Sequence, residues 1–356
     1  MTHIENQNLI RDIKGDLESL SMRLNLITQE SSIYSDHSTQ NHPCNSPKKS
    51  VLPLDQNHYK PNPVNSKPKN PREHHRFLYY KSVLTNLIDV KTTIGLEIGA
   101  FDRPFFSPGQ GDISYADYRT TQELKKLAND TPGHNANFVV DVTYNLSKIN
   151  LSDIPKKHDY IIASHVLEHT PNMIGFLDQI SDLLKDTGFA FFVIPDKRYT
   201  FDCLKPLTSL GEILENHFNN LERPSFRHVF NSNYYNRPLK PGDVWAGKTN
   251  SESLSRIPRD VKQLISTAEK SKNSYIDTHC NIFTDVHFYD VISELIKYNL
   301  VNFAKAEVYQ AQTGFIDFLC ILWKSESKTS DIHGLFPDLK SRLIHSHLTG
   351  CNSSHP

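Results

Sequence analysis

An apolar run, Asp159-Tyr160-Ile161-Ile162-Ala163, stops abruptly on Ser164, His165, Glu168 and His169. Imidazole titrates near neutral pH, so a histidine at a strand end can accept a proton from a reacting group, and imidazole with carboxylate is also a metal-ligand set. The spacing His-x-x-Glu-His is that of a zinc hydrolase, with two histidines on one helical face and Glu168 as general base. Position argues against it: the pattern begins directly after a buried strand, and Pro171 follows two residues later, where a metal-binding helix would continue. No metal is therefore expected. His228 and His279 are candidate second bases, near Arg227 and Cys280, although a lone histidine is more often structural. The run Asp196-Lys197-Arg198-Tyr199 carries two cations able to hold a phosphate or carboxylate, or simply to face solvent.

These residues need a frame that brings strand ends together. Residues 93–100 (TIGLEIGA), 113–116, 137–140, 160–163 and 189–194 are short β-favouring apolar runs. Between them, 121–129 and 173–185 have helical patterns, the second with Ile174, Leu177, Ile180, Leu183 and Leu184 on one face. Such alternation predicts a parallel α/β sheet, whose ligands bind beyond the carboxyl ends of the strands. Lys185-Asp186-Thr187-Gly188 is a helix stop. A helix over 285–299 and strands over 304–309 and 315–323 close the domain, and 201–278 reads as an insertion over the carboxyl edge.

The balance of Lys+Arg 39 against Asp+Glu 40 leaves a formal charge of -1, so no global field would gather nucleic acid or an anionic membrane. Five cysteines, widely spaced and never in a C-x-x-C pair, argue against a disulfide framework and against a structural zinc site. Reduced thiols and a cytoplasmic setting fit. Neither a signal sequence nor a run of membrane-spanning length is found.

Ahead of the domain, Ile10, Ile13, Leu17, Leu20, Leu24 and Ile27 make an amphipathic or coiled-coil seam over 1–28, able to pair with a second copy or a partner, or to pack on the protein's own body. Residues 29–72, rich in Pro, Ser and Asn, read as a flexible linker. The domain spans 73–324 and begins with a helical pattern, and 325–356 is a polar tail.

LEIGAFDRP, YAD, VVDV, DYIIASHVLEHTPN and FFVIPDKRYTFD, taken in order, resemble the successive motifs of a class I S-adenosylmethionine-dependent methyltransferase. More narrowly they are similar to a bacterial subgroup linked with surface-polysaccharide biosynthesis. The resemblance implies a Rossmann-like, mostly parallel sheet with its last strand antiparallel. It implies S-adenosylmethionine as cofactor, contacted by Glu97, Gly99 and Ala100 at the first strand end. Asp117 would take the ribose hydroxyls with Tyr118 beside it, Asp141 the adenine amino group with Val142 as a wall, and His165 would lie by the sulfonium. Phe101 departs from the pattern, standing where a further glycine is common. Asp196, Lys197, Arg198 and Tyr199 would shape the acceptor site.

The expected reaction is in-line displacement: an acceptor oxygen or nitrogen, on a small molecule, a glycan or a sugar precursor, attacks the methyl carbon, with the protein supplying alignment and one proton acceptor. The competing expectation is a methyltransferase-like scaffold that has lost its chemistry.

Overall fold

Strands whose side chains are buried on both faces require helices on both sides, and that requirement organises this chain. The computed structural model describes residues 71–155, 157–249, 260–325 and 342–344. The expected amino-terminal helix, all but the end of the linker and nearly all of the tail lie outside the described residues. β1 (Ile94–Ile98), β2 (Asp112–Asp117), β3 (Tyr144–Asn145), β4 (His158–Ser164), β5 (Leu184–Pro195), β6 (Lys305–Tyr309) and β7 (Asp317–Trp323) form one sheet in the order β3-β2-β1-β4-β5-β7-β6. β1 to β5 are parallel, and β7 lies between β5 and β6, antiparallel to both. The expected architecture, with its last strand reversed, is thus found.

Alternation along β4 divides the core. Ile161 and Ala163 face the side covered by α3 (Met173–Leu183) and α8 (Asp285–Lys297), where Leu177, Ile180, Phe288 and Ile292 are buried. Tyr160 and Ile162 face α1 (Pro71–Leu87), which contributes Tyr80, Val83 and Leu84. Each such side chain contributes roughly 1.5–3 kcal/mol by leaving water. Together they hold the carboxyl ends of β1, β2, β4 and β5 in line. α2 (Thr121–Asp130) starts on a capping box in which Thr120 and Glu123 satisfy each other's backbone donors.

Two local expectations are corrected. The strand expected at 137–140 is a 3-10 turn, Ala136–Phe138, because the Asn135 side chain accepts a hydrogen bond from Asn137 N at 3.0 Å and starts a turn instead. The true β3 is two residues long and pairs with Ala116 and Asp117. Lys185 to Gly188, expected as a separate turn, bulges within β5: His158 pairs with Leu184, yet Tyr160 pairs with Phe189. α3 still stops at Leu183, as the Gly-containing segment predicts.

The insertion holds α4 (Leu210–Phe218), α5 (Phe226–Tyr235), α6 (Pro241–Trp245) and α7 (Val261–Glu269). Among the described residues no helix is long and apolar enough to cross a membrane.

Candidate active site

The turn after β1 is built for close approach. Gly99 has φ +71, and a Cβ there would come within 2.7 Å of the Val166 side chain. Its N–H donates to Ala116 O at 2.9 Å, which sets the turn beside the end of β2. Phe101 also adopts positive φ, at 50°, and its ring packs on His134 with centroids 4.7 Å apart. Glu97 does not face outward. Both its oxygens accept from Phe105 N at 3.0 Å, and burial pushes its carboxyl up to about 8. It anchors the loop that Gly99 begins, with Ala100 buried beside it. Gly99→Ala is expected to cost roughly 1–2 kcal/mol in urea unfolding, from the left-handed backbone alone. A cost near zero would mean the turn relaxes freely.

Asp117 ends β2 with Oδ1 accepting from Arg119 N at 2.8 Å, and burial raises its carboxyl above the ordinary value. A carboxylate beside a turn with no room for a Cβ suits a ribose diol, so these residues fit S-adenosylmethionine. Tyr118 stands exposed next to it, and Val142, its N–H donating to Thr121 Oγ1 at 2.9 Å, packs near Phe101 and Val139. Asp141 lies on a loop in place of a strand end. Its side chain is 90% exposed and 3.9 Å from Lys125 Nζ, because the strand meant to carry it inward does not form.

The end of β4 gathers the most chemistry. His165 has φ +55 and donates its backbone N–H to Val193 O at 2.9 Å, so the sheet holds it in a strained conformation. Nε2 of His165 lies 2.9 Å from Asp317 Oδ2, which fixes the ring and leaves Nδ1 on the opposite side. Asp317, at the start of β7, also receives Tyr80 O–H at 2.9 Å and Arg76 Nη1 at 2.9 Å. Burial alone would raise this carboxyl, but Arg76 together with His165 and Tyr80 holds it below its ordinary value.

The following turn, Leu167–His169, is a single 3-10 turn and not a helix. It receives the segment just after the insertion: Cys280 N and Asn281 N donate to Glu168 O at 2.6 and 3.1 Å, and Asn281 Nδ2 donates to Leu167 O and Thr170 O. His279 is thereby delivered beside His169, ring centroids 4.7 Å apart. Its Nδ1 lies 2.5 Å from Asp202 Oδ2, and Asp202 is paired at 2.6 Å with the equally buried Lys205. Asp317 and Asp277 escaped sequence reasoning, which gave Asp202 only a place beside the acceptor rim and not its contact with His279. Each lies far along the chain from, or outside the motif of, the histidine it holds, and the one signal was an acid at the edge of an apolar run.

His228 and the rim after β5 differ from expectation. In α5 His228 takes the capping-box role: its N–H donates to Ser225 Oγ at 3.3 Å and its Nδ1 accepts from Ser225 N at 3.1 Å. Burial, with Arg227 adding repulsion, pushes its pKa down to about 4. It is a structural cap. Since the unfolded ring titrates near 6.5, its contribution is complete above that pH and is lost as pH falls toward 4, by roughly 3 kcal/mol. Lys205 and Glu212 are the other charged groups that act on it. Urea unfolding between these pH values should therefore show a slope for the wild type that His228→Gln flattens, and parallel curves would refute the assignment.

Arg198 is committed to carboxylates, reaching Asp196 Oδ2 at 2.5 Å and Asp285 Oδ2 at 2.7 Å, both buried. Lys197 Nζ donates to Lys205 O. Both cations thus already spend donors within the rim. Tyr199 stacks on Trp245, centroids 4.2 Å and planes 14° apart, and Phe201, 40% exposed, packs on His279 at 4.9 Å.

A seven-stranded sheet of this order, with strand-end residues converging on one rim, is the Rossmann-like methyltransferase architecture. Residues 69–240 match the family model described as a methyltransferase domain. The cofactor that this match implies is S-adenosylmethionine. Solved structures similar to it include a SAM-dependent methyltransferase from Thermotoga maritima, with 12% identity over 71% of this chain and 91% of that one, TM-score 0.34. A magnesium protoporphyrin IX methyltransferase from Synechocystis with bound SAH shares 10% identity over 71% of this chain and 84% of that one, TM-score 0.34. A plantazolicin methyltransferase with a desmethyl analogue and SAH shares 12% over 72% and 87%, TM-score 0.37. No curated protein sequence matches this chain.

Proposed function

We propose that this protein methylates a hydroxyl oxygen on a small polar acceptor, a sugar or glycan precursor, with His165 as the proton acceptor. The observation that carries this reading is the 2.9 Å contact between His165 Nε2 and the buried Asp317 carboxylate. A carboxylate on the outer nitrogen fixes the tautomer that leaves Nδ1 with its lone pair, and it stabilises the imidazolium formed when a proton arrives. Arg76 and Tyr80 prevent Asp317 from turning away.

S-adenosylmethionine, when bound, supplies the activated methyl group. The chain's own residues orient and deprotonate. Asp117 holds the ribose, the Gly99 turn leaves room for the backbone to approach, and His165 takes the acceptor proton. Support for a sugar acceptor comes from Phe201 against His279 and from the Tyr199–Trp245 stack, since flat aromatic faces suit the C–H face of a sugar ring. Arg198 and Lys197 are already paired, which favours recognition of a neutral ring over a phosphate.

Calorimetric titration with S-adenosylmethionine tests the cofactor half. Asp117→Ala should weaken binding about 10- to 100-fold, the value of one or two hydrogen bonds to a charged group. Wild-type affinity in that variant would remove Asp117 from the site. Methylation of a panel of neutral and phosphorylated sugars tests the acceptor half.

A further inference from the structure

We propose that Glu168, His169 and His279 form a binding site for a divalent first-row transition-metal cation. The site does not depend on the acceptor reading above.

Glu168 is 1% exposed, and neither of its carboxylate oxygens has a hydrogen-bond donor among the described residues. A buried carboxylate left so is costly unless something cationic reaches it. Three imidazoles surround it: His165 Nδ1 at 3.6 Å, His169 Nε2 at 3.8 Å and His279 Nε2 at 3.9 Å from Oε1. These separations are too long for hydrogen bonds, yet they approach the edge of about 3.4 Å between ligands on a tetrahedral cation with bonds of about 2.1 Å. Ligand atoms of Glu168, His169 and His279 all lie within 4.8 Å of one another.

The outer nitrogens say the same. His169 Nδ1 is 2.9 Å from Asp277 Oδ1, and His279 Nδ1 is 2.5 Å from Asp202 Oδ2. A carboxylate on the outer nitrogen is the usual partner of a metal-bound histidine, because it fixes the ring and leaves the inner lone pair on the metal side. With the outer N–H of His279 donated to Asp202 and the Asp277 carboxylate close to the outer nitrogen of His169, Glu168 and two inner nitrogens converge on one space. A cation resolves that convergence. Two imidazoles and a carboxylate suit Zn²⁺, Co²⁺ or Mn²⁺ better than Ca²⁺.

This differs from the zinc-hydrolase arrangement considered for the same motif. There both motif histidines are ligands and the glutamate is the base. Here Glu168 is a ligand, His165 is turned to Asp317, and the second imidazole comes from 110 residues downstream, pinned by the Cys280 and Asn281 amides on Glu168 O. Beside His165, such a cation would bind an acceptor hydroxyl and ease its deprotonation, a consequence that does rest on the methyl-transfer reading.

The test uses the full chain, stripped with a chelator and titrated with Co²⁺, Zn²⁺ or Mn²⁺ alone, read by calorimetry, by the visible d–d bands of bound Co²⁺ and by thermal unfolding. One equivalent should bind and raise the unfolding temperature. Glu168→Gln should abolish binding. Asp277→Asn, at a half-exposed position where folding is not in question, should weaken it about 10- to 100-fold. Absence of saturable binding in folded wild type overturns the proposal, as does undiminished binding in Asp277→Asn. Titration with S-adenosylmethionine in the same stripped sample reports the cofactor site separately, so failure of one is not failure of the other.

Discussion

Replacing Asp317 with alanine is expected to remove about 3–5 kcal/mol of unfolding free energy, the range for breaking a buried ion pair from one side. Asp317 is fully buried and receives Arg76, Tyr80 and His165, each at 2.9 Å. Removing the acceptor strands the Arg76 guanidinium and the Tyr80 hydroxyl, and each then lacks the partner that offset its desolvation. Arg76→Met alone should also destabilise, because it leaves Asp317 with less cationic support. The double variant should recover much of the loss, since no charge is then left unpaired. Urea unfolding of the wild type and these three variants forms the cycle. A cost below about 1 kcal/mol for Asp317→Ala, or strict additivity, would show that the node is not the pin between α1, β4 and β7. The carboxyl is held below its ordinary value, so its contribution is full at neutral pH and is lost as pH falls through that lowered value in acid.

The pin explains how far sequence could reach. Sheet strands announce themselves locally: IGLEI, DYIIA and FLCILW are β-favouring runs that only a doubly covered sheet can bury. Their order followed from motif succession. β3 failed because two β-branched residues, Val139 and Val140, promise a strand, while the Asn135 side chain gives the backbone a competing partner just before them. Asp141 therefore lies on an exposed loop. The site was legible in position: His165, Asp117 and Gly99 sit at strand ends fixed by the sheet, where the sequence places them. Asp317 and His165 are 152 residues apart, and only the reversed strand β7 makes them neighbours. His228 shows the converse error. A histidine three residues into a helix after Ser225 can cap its first turn, and that local duty uses the nitrogen a base would need. Arg198 likewise reads as free cation in sequence, yet Asp285 arrives from the start of α8 to share it.

His165→Ala should lower turnover about 10²- to 10⁴-fold, the usual span for a positioned general base, while leaving the affinity for S-adenosylmethionine within a few-fold of wild type. The split matters because His165 also packs at the rim. A merely structural histidine would lower cofactor affinity and stability together, whereas a base acts only when the acceptor proton leaves. Its ring is about a third exposed, so truncation removes little buried surface. Asp317→Asn should lower turnover in the same direction, because an amide can hold the ring through the wrong nitrogen hydrogen and lose the tautomer. His228→Gln should keep wild-type turnover, since that side chain spends its Nδ1 on capping α5. If His165→Ala kept more than about a tenth of wild-type turnover, the proton acceptor would lie elsewhere, with His279 the next candidate by its Asp202 contact. His279 would then have to serve in place of binding metal, for one imidazole nitrogen cannot hold a cation and accept a proton at once. The turnover of His165→Ala and the metal content of the stripped and reloaded protein therefore constrain each other.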